Sequence, residues 1–306
     1  MQIGPIRIGT RGSPLALAQA HETRDRLCKA HDLDPETVEI VVISTTGDQV
    51  QDRPLAEIGG KGLFTKELEE QLHDGRIDMA VHSMKDMPAV LPDGLEICCL
   101  LEREDPRDAF MSPVAKSIAD LPEGATVGSS SVRRAAQLLN MRPDLQIVQF
   151  RGNVQTRLRK LEDGIAAATF LACAGLNRLG MAHLMTCAIE PHIMLPAVAQ
   201  GAIGIEIASA HERSRALLEP LHHRDTSICI EAERAFLKEL DGSCRTPLAG
   251  HATLADDVVS FNAMALTLDG QKVFTAGRTG KASEAGRMGL DAAEEIRALA
   301  GADLVS

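Results

Sequence analysis

Short apolar runs alternate with amphipathic segments along the first two thirds of the chain. The apolar runs predict strands at 6–8, 38–43, 77–82 and 95–101, and the amphipathic segments predict helices at 14–29 and 62–72. Ser13 and Pro14 suit the N-cap and the first position of the first helix. This alternation is typical of an α/β fold.

A charged, proline-containing segment at 102–110 is interpreted as a crossing into a new unit, and the α/β pattern begins again at Thr126. There the sequence predicts a strand, a helix at 132–141, a strand at 147–150, a further helix and a strand at 166–172. Residues 195–208 predict a loop and a strand that returns to the first unit. After His222, a helix at 226–240, strands at 258–268 and 272–278 and a helix at 284–300 form a smaller α+β unit.

The length of 306 residues leaves room for two or three domains. We therefore predict an α/β domain 1 of residues 1–101 and 202–220, an α/β domain 2 of residues 102–201, and a C-terminal α+β domain of residues 221–306. No apolar stretch reaches the roughly 18 residues of a membrane span, and the N-terminus lacks the apolar run of a secretory signal. We expect a cytoplasmic protein.

The net charge of −11 argues against a general nucleic-acid binder. Seven cysteines, an odd number with no CxxC pair, argue against a disulfide framework and against a zinc site. No metal is expected, and most of these cysteines should be small buried apolar residues.

One basic stretch stands out in this acidic chain. Between Gly128 and Lys160, Asp144 is the one acid among seven basic residues, namely Arg133, Arg134, Arg142, Arg151, Arg157, Arg159 and Lys160. Arg133 and Arg134 fall in the first turn of a predicted helix, where backbone N–H groups and guanidinium forks favour an anion. The stretch therefore indicates a polyanionic ligand; a solvated basic face is the alternative.

Three shorter segments could carry chemistry, each with a simpler alternative. The run Gly59–Gly62 with Lys61 at its tip resembles a mobile loop, or a plain turn. Asp86, which follows the strand at 77–82, could stabilise a cation or move protons, or pair with Lys85 to cap a loop. Cys244 lies in a predicted tight turn beside Arg245 and is the cysteine least like core filling. It could be a nucleophile or the attachment point of a covalent group.

Nine ordered blocks of the sequence resemble the porphobilinogen deaminase (hydroxymethylbilane synthase) family. They are TRGSPLAL (10–17), GGKGLFTKELE (59–69), AVHSMKDMP (80–88), EREDPRDAF (102–110), VGSSSVRR (127–134), RGNVQTRL (151–158), AGLNRLG (174–180), LPAVAQGAIGIE (195–206) and ERAFLKELDGSCRTPLAG (233–250). The resemblance implies two domains like type 2 periplasmic binding proteins plus an α+β domain. It also implies a transferase of tetrapyrrole, porphyrin and heme biosynthesis that is a monomer.

The resemblance implies that four porphobilinogens are condensed head to tail, with loss of ammonia at each addition, to give linear hydroxymethylbilane. It implies a dipyrromethane cofactor held by a thioether at Cys244, and Asp86 as the catalytic carboxylate. The further cofactor-binding residues implied are Lys85, Ser129, Ser131, Arg133, Arg134, Arg151, Arg157 and Gln200. The substrate-binding residues implied are Arg11, Ser13, Gln19, Lys61, Phe64, Arg151, Arg157 and Arg178.

Four positions depart from the family pattern, namely Glu57, Ser129, Ala199 and Ser243. None of them removes a residue that the chemistry requires. A non-catalytic, two-lobed binding protein for a polyanionic ligand is the main alternative, because a fold alone does not separate receptor from enzyme. An inactive member of the family is a second alternative. The presence of both Asp86 and Cys244 favours the enzyme.

Overall fold

A computed structural model describes residues 5–49, 64–240 and 246–303. Within these ranges the chain divides into two units. Unit 1 comprises residues 5–49, 64–104 and 202–227, and unit 2 comprises residues 105–201, 228–240 and 246–303. The finer division of the chain into three domains stays a prediction.

The strands are numbered in chain order. They are β1 Ile6–Arg11, β2 Val38–Ile43, β3 Met79–Ser83, β4 Leu95–Leu100, β5 Asp108–Met111, β6 Thr126–Gly128, β7 Gln146–Val148, β8 Ala168–Ala172, β9 Cys187–Ile189, β10 Ile203–Ala208, β11 Leu248–Ala255, β12 Val258–Leu266 and β13 Val273–Lys281.

The helices are α1 Pro14–His31, α2 Thr46–Gln49, α3 Lys66–His73, α4 Val132–Met141, α5 Val154–Glu162, α6 Cys173–Arg178, α7 Glu212–Leu218, α8 Arg224–Glu239 and α9 Ala285–Ala300. No helix in the described ranges has both the length and the apolar character needed to cross a membrane.

Unit 1 is built on a five-stranded sheet with the order β2-β1-β3-β10-β4. Strand β1 runs parallel to β2 and β3, whereas β10 is antiparallel to β3 and β4. Side chains alternate between the faces of a strand, so neighbouring residues of β3 belong to different apolar clusters. Val81 packs in the cluster of α1 and Ala80 in the cluster of α3. Helices therefore cover both faces of this sheet.

The larger sheet of unit 2 repeats this strand order as β7-β6-β8-β5-β9. Strands β6, β7 and β8 are parallel, and β5 is antiparallel to β8 and β9. In each of these two sheets, one strand is antiparallel to both of its neighbours, namely β10 in unit 1 and β5 in unit 2. Each of these strands is the first one that the chain forms after it passes from the other unit. Two sheets with the same strand order, in chain segments where strands alternate with helices, confirm the predicted α/β class.

A smaller antiparallel sheet, β11-β12-β13, completes unit 2. Burial alternates along β12, so one face of the sheet packs in the core and the other faces outward. Phe236 of α8 contacts Phe261 of β12 with ring centroids 5.7 Å apart, and α9 packs on β12 and β13. This is the α+β arrangement that the C-terminal sequence predicts.

Most predicted elements are confirmed, some with different ends. The first helix begins at Pro14, as predicted, and the Ser13 hydroxyl accepts a hydrogen bond from Ala16 N at 3.2 Å. Within the described residues α3 begins at Lys66 rather than at 62, because Phe64 and Thr65 form a turn. Strand β7 ends before Phe150, whose N–H donates to Ser130 Oγ. The sequence analysis gave no bounds for the strands β5, β9 and β11 or for the helices α2, α6 and α7.

The close approach of α9 to α8 at Gly289 gives a test of this packing. A Cβ at Gly289 would lie 2.1 Å from Ala232 O and 2.9 Å from Phe236 N, which are backbone atoms that cannot move aside. We expect Gly289→Ala to lower the free energy of unfolding by about 1–3 kcal/mol, measured as a lower thermal midpoint. The matched control is Gly286→Ala, because a Cβ there meets only the side chain of Glu231. A Gly289→Ala midpoint equal to that of the control would contradict this packing.

Candidate active site

One cavity in unit 1 brings together five of the predicted site residues, namely Arg11, Ser13, Gln19, Phe64 and Asp86. Arg11 ends β1, Ser13 caps α1, and Asp86 follows the end of β3. These groups meet because β1 and β3 are parallel neighbours, so their carboxyl ends lie at the same edge of the sheet. That edge is where ligands bind in open α/β sheets.

Asp86 is held at the cavity by buried residues on both sides of it in the sequence. A 3-10 turn, Met84–Asp86, follows β3 directly. Met84 is 2% exposed and its N–H donates to Ala202 O at 3.0 Å, and Met87 is also buried. Lys85 and Asp86 between them are exposed. The backbone at Asp86 is therefore fixed by the buried residues on either side, and its carboxylate is open to a ligand.

The other cavity residues form two short-range contacts. The Arg11 guanidinium lies over the Phe64 ring, 4.1 Å from its centroid, a cation–π geometry that orients the cation. Gln19 is buried and its Nε2 donates to Ser83 Oγ at 2.8 Å. The cavity thus combines a carboxylate, an oriented guanidinium and neutral hydrogen-bonding groups.

Unit 2 contains a fully buried carboxylate, Asp108, at the start of β5. It accepts hydrogen bonds from Arg133 Nη1 at 2.7 Å, Arg134 Nη2 at 2.6 Å and Gln200 Nε2 at 3.0 Å. Arg133 also donates to Leu195 O, and Arg134 to Phe170 O. Three predicted cofactor-binding residues, Arg133, Arg134 and Gln200, are therefore brought together by an acid that the sequence analysis did not identify as a site residue.

This cluster carries a surplus of positive charge. Burial by itself would raise the pKa of the Asp108 carboxyl, but the charges of Arg133 and Arg134 and their hydrogen bonds outweigh burial and hold the pKa well below its usual range. One carboxylate then faces two guanidinium groups, both buried. Arg133 Nε is buried and has no hydrogen-bond partner among the described residues. A buried cation with an unused donor fits an anionic ligand group such as a carboxylate.

The serines before α4 hold the turn that carries the two arginines. Ser131 is the N-cap and its hydroxyl accepts from Arg134 N at 3.4 Å, and Ser129 Oγ accepts from Ser131 N at 3.2 Å. The hydroxyls of Ser129 and Ser131 therefore shape this turn.

The remaining arginines of the prediction lie in unit 2 at turns and helix ends. Arg157 Nε donates to Gly152 O at 3.0 Å, and Arg178 Nη2 donates to Gly201 O at 3.1 Å. The carbonyl of Arg151 accepts from Lys160 Nζ at 3.1 Å. All three arginines are half-buried.

Two predicted site residues, Lys61 and Cys244, lie outside the described residues, as do Glu57 and Ser243. The other six cysteines are free thiols, and four of them are buried. Burial raises the pKa of Cys98, Cys99 and Cys173 to about 12, so these thiols are poor nucleophiles. A cluster of three or more metal-ligating side chains does not occur in the described part of the chain.

Ionisable residues within apolar strands are the site feature that the sequence analysis missed. Asp108 and Glu206 are 0% exposed, and His82 is 6% exposed. The sequence contained a signal for them, because the strands IGIEIA and DAFM each have one acid among otherwise apolar residues. A charged residue at such a position needs a partner, but the sequence does not say which one.

Comparisons with solved structures find likeness to periplasmic domains. A BvgS VFT2 domain of Bordetella pertussis has a TM-score of 0.40 at 16% identity, covering 70% of this chain and 84% of that one. A periplasmic binding protein of Salmonella typhimurium has a TM-score of 0.41 at 10% identity, covering 74% of this chain and 94% of that one.

Comparisons of sequence are more specific. The profile "Porphobilinogen deaminase, dipyromethane cofactor binding domain" matches residues 6–216, and "Porphobilinogen deaminase, C-terminal domain" matches residues 227–298. A protein of Paracoccus denitrificans (strain Pd 1222) named porphobilinogen deaminase is 60% identical over 299 residues, which cover 98% of this chain and 96% of that protein. The chain belongs to the porphobilinogen deaminase family.

Proposed function

We propose that this chain is a transferase that condenses four porphobilinogen molecules head to tail and releases ammonia at each addition, giving hydroxymethylbilane. The observation that carries the proposal is the exposed Asp86 carboxylate on a cavity that also contains Arg11, in a chain of the deaminase family. The non-catalytic binding protein is not favoured, because the family is named for a deaminase.

Asp86 stabilises the positive charge that develops when ammonia leaves the aminomethyl carbon of the substrate. A carboxylate fixed before the reaction stabilises such a cation more than water does, since it does not have to reorient. The buried residues Met84 and Met87 hold the backbone from which the Asp86 carboxylate projects. As an acceptor, Asp86 also holds the pyrrole N–H and so orients the ring.

Basic side chains bind the acetate and propionate groups of the pyrroles. Arg11, with Ser13, Gln19 and Phe64 beside it, binds the incoming substrate in unit 1, together with Lys61. Arg151, Arg157 and Arg178 contribute further guanidinium groups from unit 2. Guanidinium matches carboxylate in charge and in the spacing of its donors.

The dipyrromethane cofactor fits the cluster around Asp108. Arg133 and Arg134 would hold its carboxylates, since the cluster has a surplus positive charge and Arg133 Nε is a buried donor with no partner among the described residues. Lys85, Ser129, Ser131 and Gln200 complete the proposed cofactor-binding set with Arg151 and Arg157. When bound, the cofactor supplies the pyrrole α-carbon that receives the first porphobilinogen.

Cys244 is the proposed attachment point of the cofactor. In the sequence, Cys244 falls between Glu239, where α8 ends, and Leu248, where β11 begins. The raised pKa of the thiols of Cys98, Cys99 and Cys173 supports Cys244 as the reactive thiol.

We further propose a cytoplasmic monomer that binds no nucleic acid and consists of the three domains given by the sequence analysis. The net charge of −11 supports the lack of nucleic-acid binding. The change of unit between residues 104 and 105 and between 201 and 202 supports the two crossings.

Asp86→Asn tests the catalytic assignment. We expect the rate of hydroxymethylbilane formation to fall by about 10²–10⁴-fold, because the amide keeps the shape but loses the negative charge. The thermal midpoint should stay unchanged, since Asp86 is exposed. Asp93→Asn, another exposed aspartate of unit 1, is the matched control and should retain parent activity. Comparable rates in the two variants would remove Asp86 from the mechanism.

Cys244→Ser tests the attachment point by intact mass. The purified parent chain should exceed its polypeptide mass by two porphobilinogens less two ammonias, on the peptide that contains Cys244. Cys244→Ser should show the bare polypeptide mass, whereas Cys187→Ser, which replaces a half-buried thiol, should keep the added mass. An added mass that persists in Cys244→Ser would place the cofactor on another residue.

A further inference from the structure

Three buried ionisable side chains in unit 1 have no part in the function proposed above. His82 lies on β3, Glu206 on β10 and Glu69 on α3, and they are 6%, 0% and 8% exposed. His82 Nε2 lies 3.0 Å from Glu206 Oε2. Burying three ionisable groups in one place is costly unless they pair or share protons. We call these residues the His82 cluster.

The surroundings of Glu69 favour its protonated form. Burial raises the pKa of Glu69, the Thr65 hydroxyl opposes this, and the negative charge of Glu206 raises it further. Glu206 Oε1 and Glu69 Oε1 are both buried with no hydrogen-bond partner among the described residues. A proton kept on Glu69 reduces the repulsion between the two carboxyl groups.

The cluster opens into the cavity that contains Asp86. His82 and Thr65 are among the residues that line this cavity. Nε2 of His82 is engaged by Glu206, and Nδ1 makes no hydrogen bond to any residue the structure describes, so Nδ1 is the ring nitrogen that can accept a proton. The other titratable groups near the cluster are His73 of α3, which acts on Glu69, and Asp86 and Arg11, which line the cavity together with His82.

Each addition requires a proton to move. The C–N bond of the protonated aminomethyl group breaks and its electron pair leaves with ammonia. A C–C bond then forms at the α-carbon of the acceptor ring, whose C–H bond must break to return an electron pair to that ring. Asp86 is needed as an anion to stabilise the cation, so another group is required to accept this proton.

We propose that His82 is a further catalytic residue, which accepts the α-carbon proton at Nδ1 and passes it to the departing ammonia as ammonium. The inference rests on the proposed function and deepens it. Glu206 is a positioning residue, because an Nε2–H that donates to its carboxylate leaves Nδ1 as the acceptor. Glu69 is a second positioning residue that keeps the net charge of the cluster low. The imidazole returns to its neutral form after each addition, so protons balance over the four cycles.

His82→Gln tests the proton transfer directly. In single-turnover additions of porphobilinogen to the holoenzyme, followed by mass, we expect the rate constant of addition to fall by about 10²–10⁴-fold. In the steady state, KM for porphobilinogen should change little. With α-deuterated porphobilinogen the label lies on the acceptor ring from the second addition onward, so the second and later additions should show a larger primary isotope effect in the variant than in the parent, because C–H cleavage becomes the slow step. The matched control is His31→Gln, since His31 Nε2 contacts Leu217 O and does not line the cavity. It should show the parent rate and isotope effect.

Glu206→Gln gives a second test that does not depend on turnover. The amide can present either its oxygen or its NH2 group to Nε2, so it removes the acceptor-only carboxylate that selects the Nε2–H tautomer. In the purified chain labelled with ¹⁵N-histidine, the His82 ring signals, assigned by their loss in His82→Gln, should show the Nε2–H tautomer in the parent. Glu206→Gln should lose this preference.

The outcomes separate this inference from the function itself. An active parent, with rate and isotope effect unchanged in His82→Gln and the ring tautomer unchanged in Glu206→Gln, would overturn the role of His82 and leave the deaminase activity standing. A parent that forms no hydroxymethylbilane would overturn the proposed function and this role with it.

Discussion

The buried Asp108 carboxylate is the constraint on which the architecture of unit 2 depends. It is 0% exposed and interacts with two guanidinium groups of α4 and with the Gln200 amide. Removing one partner of such a buried group costs about 3–5 kcal/mol, because an uncompensated charge remains inside. The same contacts fix the first turn of α4 and the segment before β10. Binding chemistry and fold stability are therefore set by the same carboxylate.

The two larger sheets use buried acids in a parallel way. In each sheet the antiparallel strand that enters after a change of unit carries one fully buried carboxylate, Asp108 on β5 and Glu206 on β10. Asp108 meets two arginines and so forms an anion-binding cluster. Glu206 meets an imidazole and a second carboxyl, which favours proton exchange. The two sheets share one strand order but support two kinds of chemistry, because the buried acid has different partners in each sheet.

The sequence predicted what depends on local pattern. The Ser13-Pro14 start of α1 and the bounds of α4 follow from capping and periodicity, and the structure confirms them. Strand β5 was missed because its four residues follow a charged segment and have no alternation of polar and apolar positions. Arg133 and Arg134 were predicted to bind an anion, but their pairing with Asp108, 25 residues before Arg133 in sequence, depends on strand order. The same limit applies to His82 and Glu206, which are 124 residues apart.

Ala199 shows how a long-range contact can accommodate a local departure from the family pattern. Its φ is +59°, a conformation that favours glycine, and its side chain is fully buried. For alanine this conformation costs about 1–2 kcal/mol. The N–H of Ala199 donates to Glu233 Oε2 at 2.6 Å, and the other oxygen of Glu233 accepts from Ala252 N at 2.8 Å. A hydrogen bond to a buried charged group contributes about 1.5–3 kcal/mol, which is enough to offset the strain. The buried carboxylate of α8 therefore fixes the turn before β10, and glycine is not required there.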